Sequence, residues 1–323
     1  MPATAIASSA CGTAGSRSRL PRPERLLLSL LLAAAPVAGQ QVPDTAFRPP
    51  ITHPAHPAGR GPLIAVDGAH HNFHTAGGRY APFAALLARD GYQVVPLATP
   101  FTDAALAPVR LLVVANALAA ANETSWVNPV LPAFTPVEVA TVRRWVEGGG
   151  ALLLIADHMP FGGAAATLGE AFGFRLANAF ALDSAGGDLA PFTRAAGTLA
   201  DHPVTLGRGP GERVEQVQTF TGQAFPLPAG AAPLLLLPPG SRQLYPDTAW
   251  AFSPATRVEP AGGLAQGALL QVGRGRVAVF GEAAMFSAQL AGPTRRPVGM
   301  NAPAAIGNAT LLRNLVRWLT TAP

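Results

Sequence analysis

The 323 residues are 49% hydrophobic and only 13% charged, enough apolar material for a sizeable core, and 34 glycines with 33 prolines imply many turns. All 23 basic residues are arginine, against 18 acids, which gives a net charge of +5 and a pI near 10.5. Arg17, Arg19, Arg22, Arg25 and Glu24 precede residue 40, so the remainder carries 19 arginines against 17 acids. With that balance, and no basic stripe interleaved with aromatics, a nucleic-acid partner is excluded.

Residues 19–41, "RLPRPERLLLSLLLAAAPVAGQQ", set a positive flank before an apolar stretch from Leu26 to Ala35 and small residues at Val37 and Gly39. This order predicts a secretory signal peptide over residues 1–39, a mature chain from Gln40, and a periplasmic or extracellular location. The apolar stretch is too short to span a bilayer, so no integral membrane segment is expected after its removal. The one cysteine, Cys11, lies ahead of that stretch, which leaves the mature chain without disulfides, thiolate nucleophiles or Cys-based metal sites.

Residues 40–60 are Pro-rich and aperiodic and are expected to form an extended lead-in, with His53 and His56 incidental. From residue 61 short apolar runs alternate with helical patterns. "PLIAV" (62–66) predicts a buried strand. "GRYAPFAALLARDG" (78–91) places Phe83, Leu86 and Leu87 at helical spacing and stops at Gly91. "YQVVPLA" (92–98) and "RLLVVANA" (110–117) predict two more strands.

"TPVEVATVRRWVEGGG" (135–150) predicts a helix with a Thr135/Glu138 capping box, Pro136 in the first turn and a stop at Gly148. "ALLLIA" (151–156) is the next strand and "GGAAATLGEAFGF" (162–174) the next helix. Strands are expected in "VEQVQTFTG" (214–222) and "APLLLLP" (232–238), and a hairpin in 267–283 turned at Gly273-Arg274-Gly275. A last helix is expected around 303–319, with Ile306, Leu312, Leu315, Val316 and Leu319 as its stripe. Fully apolar strands alternating with helices specify an α/β fold, mainly a parallel sheet covered on both faces, with an antiparallel extension in the second half.

In such sheets ligands bind beyond the carboxyl ends of the strands. Four predicted strands run out into polar groups: Asp67, His70, His71, Asn72 and His74 after the first; Asn116; Asp157 and His158; and Glu282 after "RVAVF". These nine are the candidate ligand-binding residues, expected to line one pocket. Asp67 and Asp157 also suit helix caps, and His74 suits a loop bonded to backbone. His70 and His71 are adjacent, so one can face the crevice while the other is structural. Glu282 behind a buried strand would be costly unless paired. His202 in "LADHPVT" is expected in a turn.

No G-x-S-x-G is present and Ser287 sits on no elbow pattern, so nucleophilic catalysis is disfavoured. Two readings of the cluster stay open. One is hydrogen bonding of a small molecule or glycan to Asp, Asn, His and nearby aromatics. The other is metal-assisted hydrolysis, for which imidazoles and carboxylates would hold a divalent metal such as zinc, although no ligand spacing fixes the set.

The order of elements, with "VDGAHHNFH", "VVANA", "WVEGGGALLLIADH", "DHPVTLG" and "GRGRVAVFGEAAMFS", resembles the class I glutamine amidotransferase-like superfamily over residues 61 to 320. It is similar in particular to a secreted bacterial branch related to sheet domains of gliding-motility ABC-transport components and intraflagellar-transport proteins. The resemblance implies one flavodoxin-like three-layer sandwich over 61–323. The amidotransferases carry a cysteine on a tight turn after a central strand, whereas "ALLLIA" here runs into "DHMP", so that activity is not implied. Members of this branch are associated with binding saccharides or partner proteins, and a protein partner is therefore a further expectation.

Overall fold

The computed structural model describes residues 41–321, and the predicted signal peptide lies outside the described residues. In chain order the elements begin with β1 (Gln41–Pro43), β2 (Leu63–Asp67), α1 (Ala81–Arg89), β3 (Gln93–Leu97), α2 (Asp103–Leu106) and β4 (Leu111–Ala115). They continue with α3 (Pro136–Glu147), β5 (Ala151–Ile155), α4 (Phe161–Ala164), α5 (Ala166–Glu170), β6 (Phe180–Leu182), β7 (Phe192–Thr193) and α6 (Pro203–Leu206). The second half holds β8 (Gln216–Val217), β9 (Ala232–Leu236), β10 (Arg242–Tyr245), β11 (Arg257–Pro260), β12 (Ala265–Val272) and β13 (Gly275–Phe280). The last elements are β14 (Ala288–Ala291), β15 (Arg296–Gly299) and α7 (Asn308–Thr320).

Seven strands form the central sheet in the order β3-β2-β4-β5-β13-β12-β9. The ladders from β3 through β13 are all parallel, while β12 runs antiparallel to both β13 and β9. Because side chains alternate across a strand, each apolar strand feeds two cores. Leu111, Val113 and Ala115 of β4, Leu153 and Ile155 of β5 and Phe280 of β13 pack on one face with α1 and α7. Leu112, Val114, Leu152, Leu154, Val277 and Val279 pack on the other with Val142 and Val146 of α3 and Leu168 of α5. The result is the expected three-layer α/β sandwich, mainly parallel, with an antiparallel second half.

The helix boundaries follow local chemistry. α3 carries the full capping box, with Thr135 accepting from the Glu138 backbone and the Glu138 side chain accepting from Thr135. α1 ends at a left-handed Gly91 (φ 97°), where a Cβ would stand 2.2 Å from the His56 carbonyl oxygen. His56 is therefore not incidental: its backbone N–H donates to Asp90 and its ring packs edge-on against Tyr92 at 4.9 Å. His202 takes the N-cap of α6, its Nδ1 accepting from Val204 N.

Four expectations are corrected. The helix expected over 162–174 is broken into α4 and α5 at Ala165, in a stretch where Gly162, Gly163 and Gly169 weaken helix formation. The strand expected over 214–222 shrinks to Gln216–Val217, because both backbone groups of Gln218 bond to the Asn308 side chain (2.9 and 2.8 Å) instead of a neighbouring strand. The last helix starts at Asn308, and Ile306, 74% exposed, lies outside it. The lead-in is tied down, since β1 pairs antiparallel with β14. Among the described residues no helix is long and apolar enough to cross a membrane.

Candidate functional site

β2, β4, β5 and β13 are consecutive parallel neighbours, so Asp67, Asn116, Asp157 and Glu282 emerge at one edge of the sheet. At that edge the polar residues form two networks. In the first, Asp67 closes β2 and accepts from Ala69 N (3.1 Å) and Asn72 Nδ2 (2.9 Å). The buried His70 ring sits between two carboxylates, with Nδ1 2.9 Å from Asp67 Oδ1 and Nε2 2.9 Å from Glu138 Oε1. Burial opposes its charge, but the two acids outweigh burial and raise the His70 pKa above its ordinary 6.5, favouring an imidazolium that donates to both.

Glu138 is the partner that sequence reasoning missed. It was legible as the capping residue of α3, but nothing in the sequence showed that the same carboxylate reaches back to His70. Burial would raise its pKa, but hydrogen bonds from Thr135 N–H and Oγ1–H, His70 and Phe101 N–H hold it at about 2.

The second network centres on Asn116, which closes β4 in a left-handed conformation (φ 50°) that Asn tolerates better than most residues. Its Oδ1 accepts from Asp157 N at 3.0 Å, which turns Nδ2 toward His74 Nδ1 at 3.2 Å. An amide nitrogen only donates, so Nδ1 must accept and the His74 proton sits on Nε2. Burial, then the charges of Arg79 and His158, lower the His74 pKa to about 3, so the ring is neutral at physiological pH. Nε2 is buried with no hydrogen-bond partner among the described residues.

Asp157 accepts from His158 N (2.7 Å) and Ala283 N (3.2 Å), which stitches β5 to the turn after β13. Glu282 accepts from Ala284 N (2.8 Å) and Met285 N (2.7 Å). Burial and the Asp157 charge nonetheless push its pKa well above 4.5. Tyr80 closes this group by donating its hydroxyl to Ala283 O at 2.9 Å.

Of the nine sequence-derived residues, Asp67, His70, His74, Asn116, Asp157, His158 and Glu282 are buried and hydrogen-bonded inside the fold. Asn72 is half-buried, and of the adjacent histidines His70 is buried while His71 is exposed. His71 Nδ1 lies 2.8 Å from Glu123 Oε2, with both side chains about half exposed. Among the described residues no group of three or more His, Cys, Asp or Glu side chains converges in a form that could hold a metal ion.

What the edge offers to solvent is aromatic. His158 stacks on the buried Phe180 (4.5 Å, 14°), and Trp250 meets both edge-on at 4.8 and 4.7 Å. Phe252 packs against Phe180 at 5.2 Å, and Trp126 continues the row to Phe161 and Phe73. Trp250 and Phe252 keep 43% and 42% of their surface exposed. Trp250 also has φ 68°, a conformation strained for a bulky residue. Loops 125–131 and 246–252 are pinned together by a Val127–Thr248 bridge and by Asn128 N donating to Asp247 O at 2.8 Å. Sequence reading missed this shelf because its aromatics are single residues in aperiodic loops.

The fold and edge define a flavodoxin-like α/β sandwich whose strand ends carry satisfied polar networks beneath an aromatic rim. No protein-family model matches the sequence, and no curated protein matches it significantly. Among solved structures the chain is similar to the mmIFT52 N-terminal domain, with a TM-score of 0.53, 14% identity, and coverage of 80% of this chain and 98% of that one. A ThuA-like protein from Bacteroides uniformis aligns over 84% of this chain and 94% of that one, at 12% identity and a TM-score of 0.45. At such identities the likeness to the mmIFT52 domain establishes the fold alone, and it agrees with the fold implied by the amidotransferase-like resemblance.

Proposed function

We propose that this is an exported ligand-binding domain that holds a carbohydrate, such as a cell-envelope glycan, at the carboxyl edge of the sheet without turnover. The observation that carries the reading is Trp250, an exposed indole kept in a strained backbone conformation and braced by His158 and Phe180. A flat aromatic face suits the C–H face of a sugar ring, and burying it removes apolar surface from water. The half-exposed His71–Glu123 pair at the same edge can reach sugar hydroxyls, while Asn72 is engaged by the His70 backbone and Asp67. In this reading the buried acids and histidines act as scaffolding: each fixes a strand end or a turn, and so holds the loops that carry the shelf. Absence of turnover fits their engagement, since the carboxylate oxygens of Asp67, Asp157, Glu138 and Glu282 accept from backbone or histidine groups.

The test is binding of the mature protein to a panel of cell-envelope polysaccharides, followed by intrinsic tryptophan fluorescence. Losing a buried aromatic contact of about 1.5–3 kcal/mol predicts a roughly ten- to hundredfold weaker complex for Trp250→Ala. Unchanged binding by Trp250→Ala and Trp126→Ala together would remove the shelf from the mechanism.

A further inference from the structure

Beside the aromatic shelf lie two surface cavities of about 420 Å³ each that share Tyr245 and Arg257 as a common wall. The wall is built by the register of β10 and β11, which sets Tyr245 opposite Arg257 and Gln243 opposite Glu259. The Arg257 guanidinium lies 3.7 Å over the Tyr245 ring and also bonds to Glu259. Gln243, buried, accepts from Ala224 N at 2.8 Å and donates to the Tyr245 hydroxyl at 3.3 Å, so the phenol is held from both sides.

The two cavities differ in chemistry. One is lined by Asp247, Thr248, Ser253 and Thr256. Ser253 Oγ accepts from Ala255 N and Thr256 Oγ1 accepts from Ser253 N, which leaves each hydroxyl proton to donate outward. This cavity also borders Ala251, between the exposed Trp250 and Phe252. The other is lined by Arg175, Asn178, Gln243 and Glu259. Glu259 is taken up by Arg257, whereas the exposed Arg175 has no hydrogen-bond or ionic partner among the described residues. That side therefore presents one uncompensated positive fork, suited to a carboxylate. A larger hollow of about 780 Å³ is walled by glycines and prolines together with Ser241, Arg242, Val258 and Glu259.

We infer that the paired cavities form one groove for an acidic oligosaccharide, with a hydroxyl-rich unit against Ser253 and Thr256 and a uronic-acid carboxylate on Arg175. The inference rests on the carbohydrate reading above and adds a charge preference to it. Titration calorimetry with trisaccharides of galacturonic, glucuronic and mannuronic acid, each beside its uncharged counterpart, tests it in low salt. The expected result is at least a tenfold preference for one acidic trisaccharide, abolished by Arg175→Gln with uncharged binding unchanged. Trp250→Ala should weaken acidic and uncharged ligands alike. Arg175 is exposed, so a thermal midpoint equal to wild type will show that Arg175→Gln is folded. Equal affinity for charged and uncharged sugars, or an acidic preference that survives Arg175→Gln, overturns the groove while a Trp250 effect leaves the shelf standing. No binding of any sugar overturns both.

Discussion

Lowering the pH should destabilise this protein through the buried ring of His74. In the folded chain its neutral form is enforced by burial and by the Asn116 amide, with a pKa of about 3 against 6.5 when unfolded. Between those values the unfolded chain binds the proton and the folded chain does not. Stability from this group is therefore fully present above pH 6.5 and lost as pH falls toward 3. Integrating from pH 7 to pH 4 gives a loss of roughly 3 kcal/mol. Other carboxyl groups titrate in the same window, so the measurement is a difference. Urea unfolding of wild type and His74→Gln at pH 7 and pH 4 should show wild type losing about 3 kcal/mol more than the variant. Histidine ring NMR should show the assigned His74 ring unchanged between pH 8 and pH 5. Parallel pH dependence of the two proteins, or a His74 resonance titrating near pH 6.5, would refute the reasoning.

Three further outcomes are expected. Glu138→Ala leaves the His70 imidazolium and the Thr135 and Phe101 amides without their shared acceptor, and should cost roughly 3 kcal/mol in chemical denaturation; a loss no larger than that of an ordinary cap, about 1 kcal/mol, would show that His70 does not depend on it. Glu282→Gln sets an amide donor against the Ala284 or Met285 N–H, so a loss of about 1–3 kcal/mol is expected in the same assay, and an unchanged midpoint would contradict the two hydrogen bonds. N-terminal sequencing of protein exported by a bacterial host should begin near Gln40, and recovery of residues 1–25 intact would exclude the signal peptide.

The sheet was legible because its strands are apolar on both faces and its helices carry their own stop and start residues. "ALLLIA" and "RLLVVANA" can be little else once Gly91, Thr135 and Gly148 punctuate the helices around them. Legibility failed where a side chain from a distant segment decides the local structure. Asn308 takes the backbone of Gln218 and so ends a strand that the composition favours, and no local pattern announces it. The strand-end cluster divided in the same way. That Asp67, Asn116, Asp157 and Glu282 share an edge followed from the parallel order alone. Their inward engagement depended on Glu138, Tyr80 and the turn after β13, which reach them from other parts of the chain. Trp250 and Tyr245 carried no signal because a loop aromatic and a strand of 4 residues have no period to read.

The strand order also dictates when this protein can fold. β13 is inserted between β5 and β12, and β1 waits for β14, so Gln41 finds its partner only when Ala291 exists. While the ribosome is still making the first half, β5 has β4 on one side and an open, apolar edge on the other. Such non-local pairing slows folding and lengthens the life of sticky intermediates. The first half alone should be held by chaperones rather than fold, and nascent chains arrested before residue 275 should remain protease-sensitive.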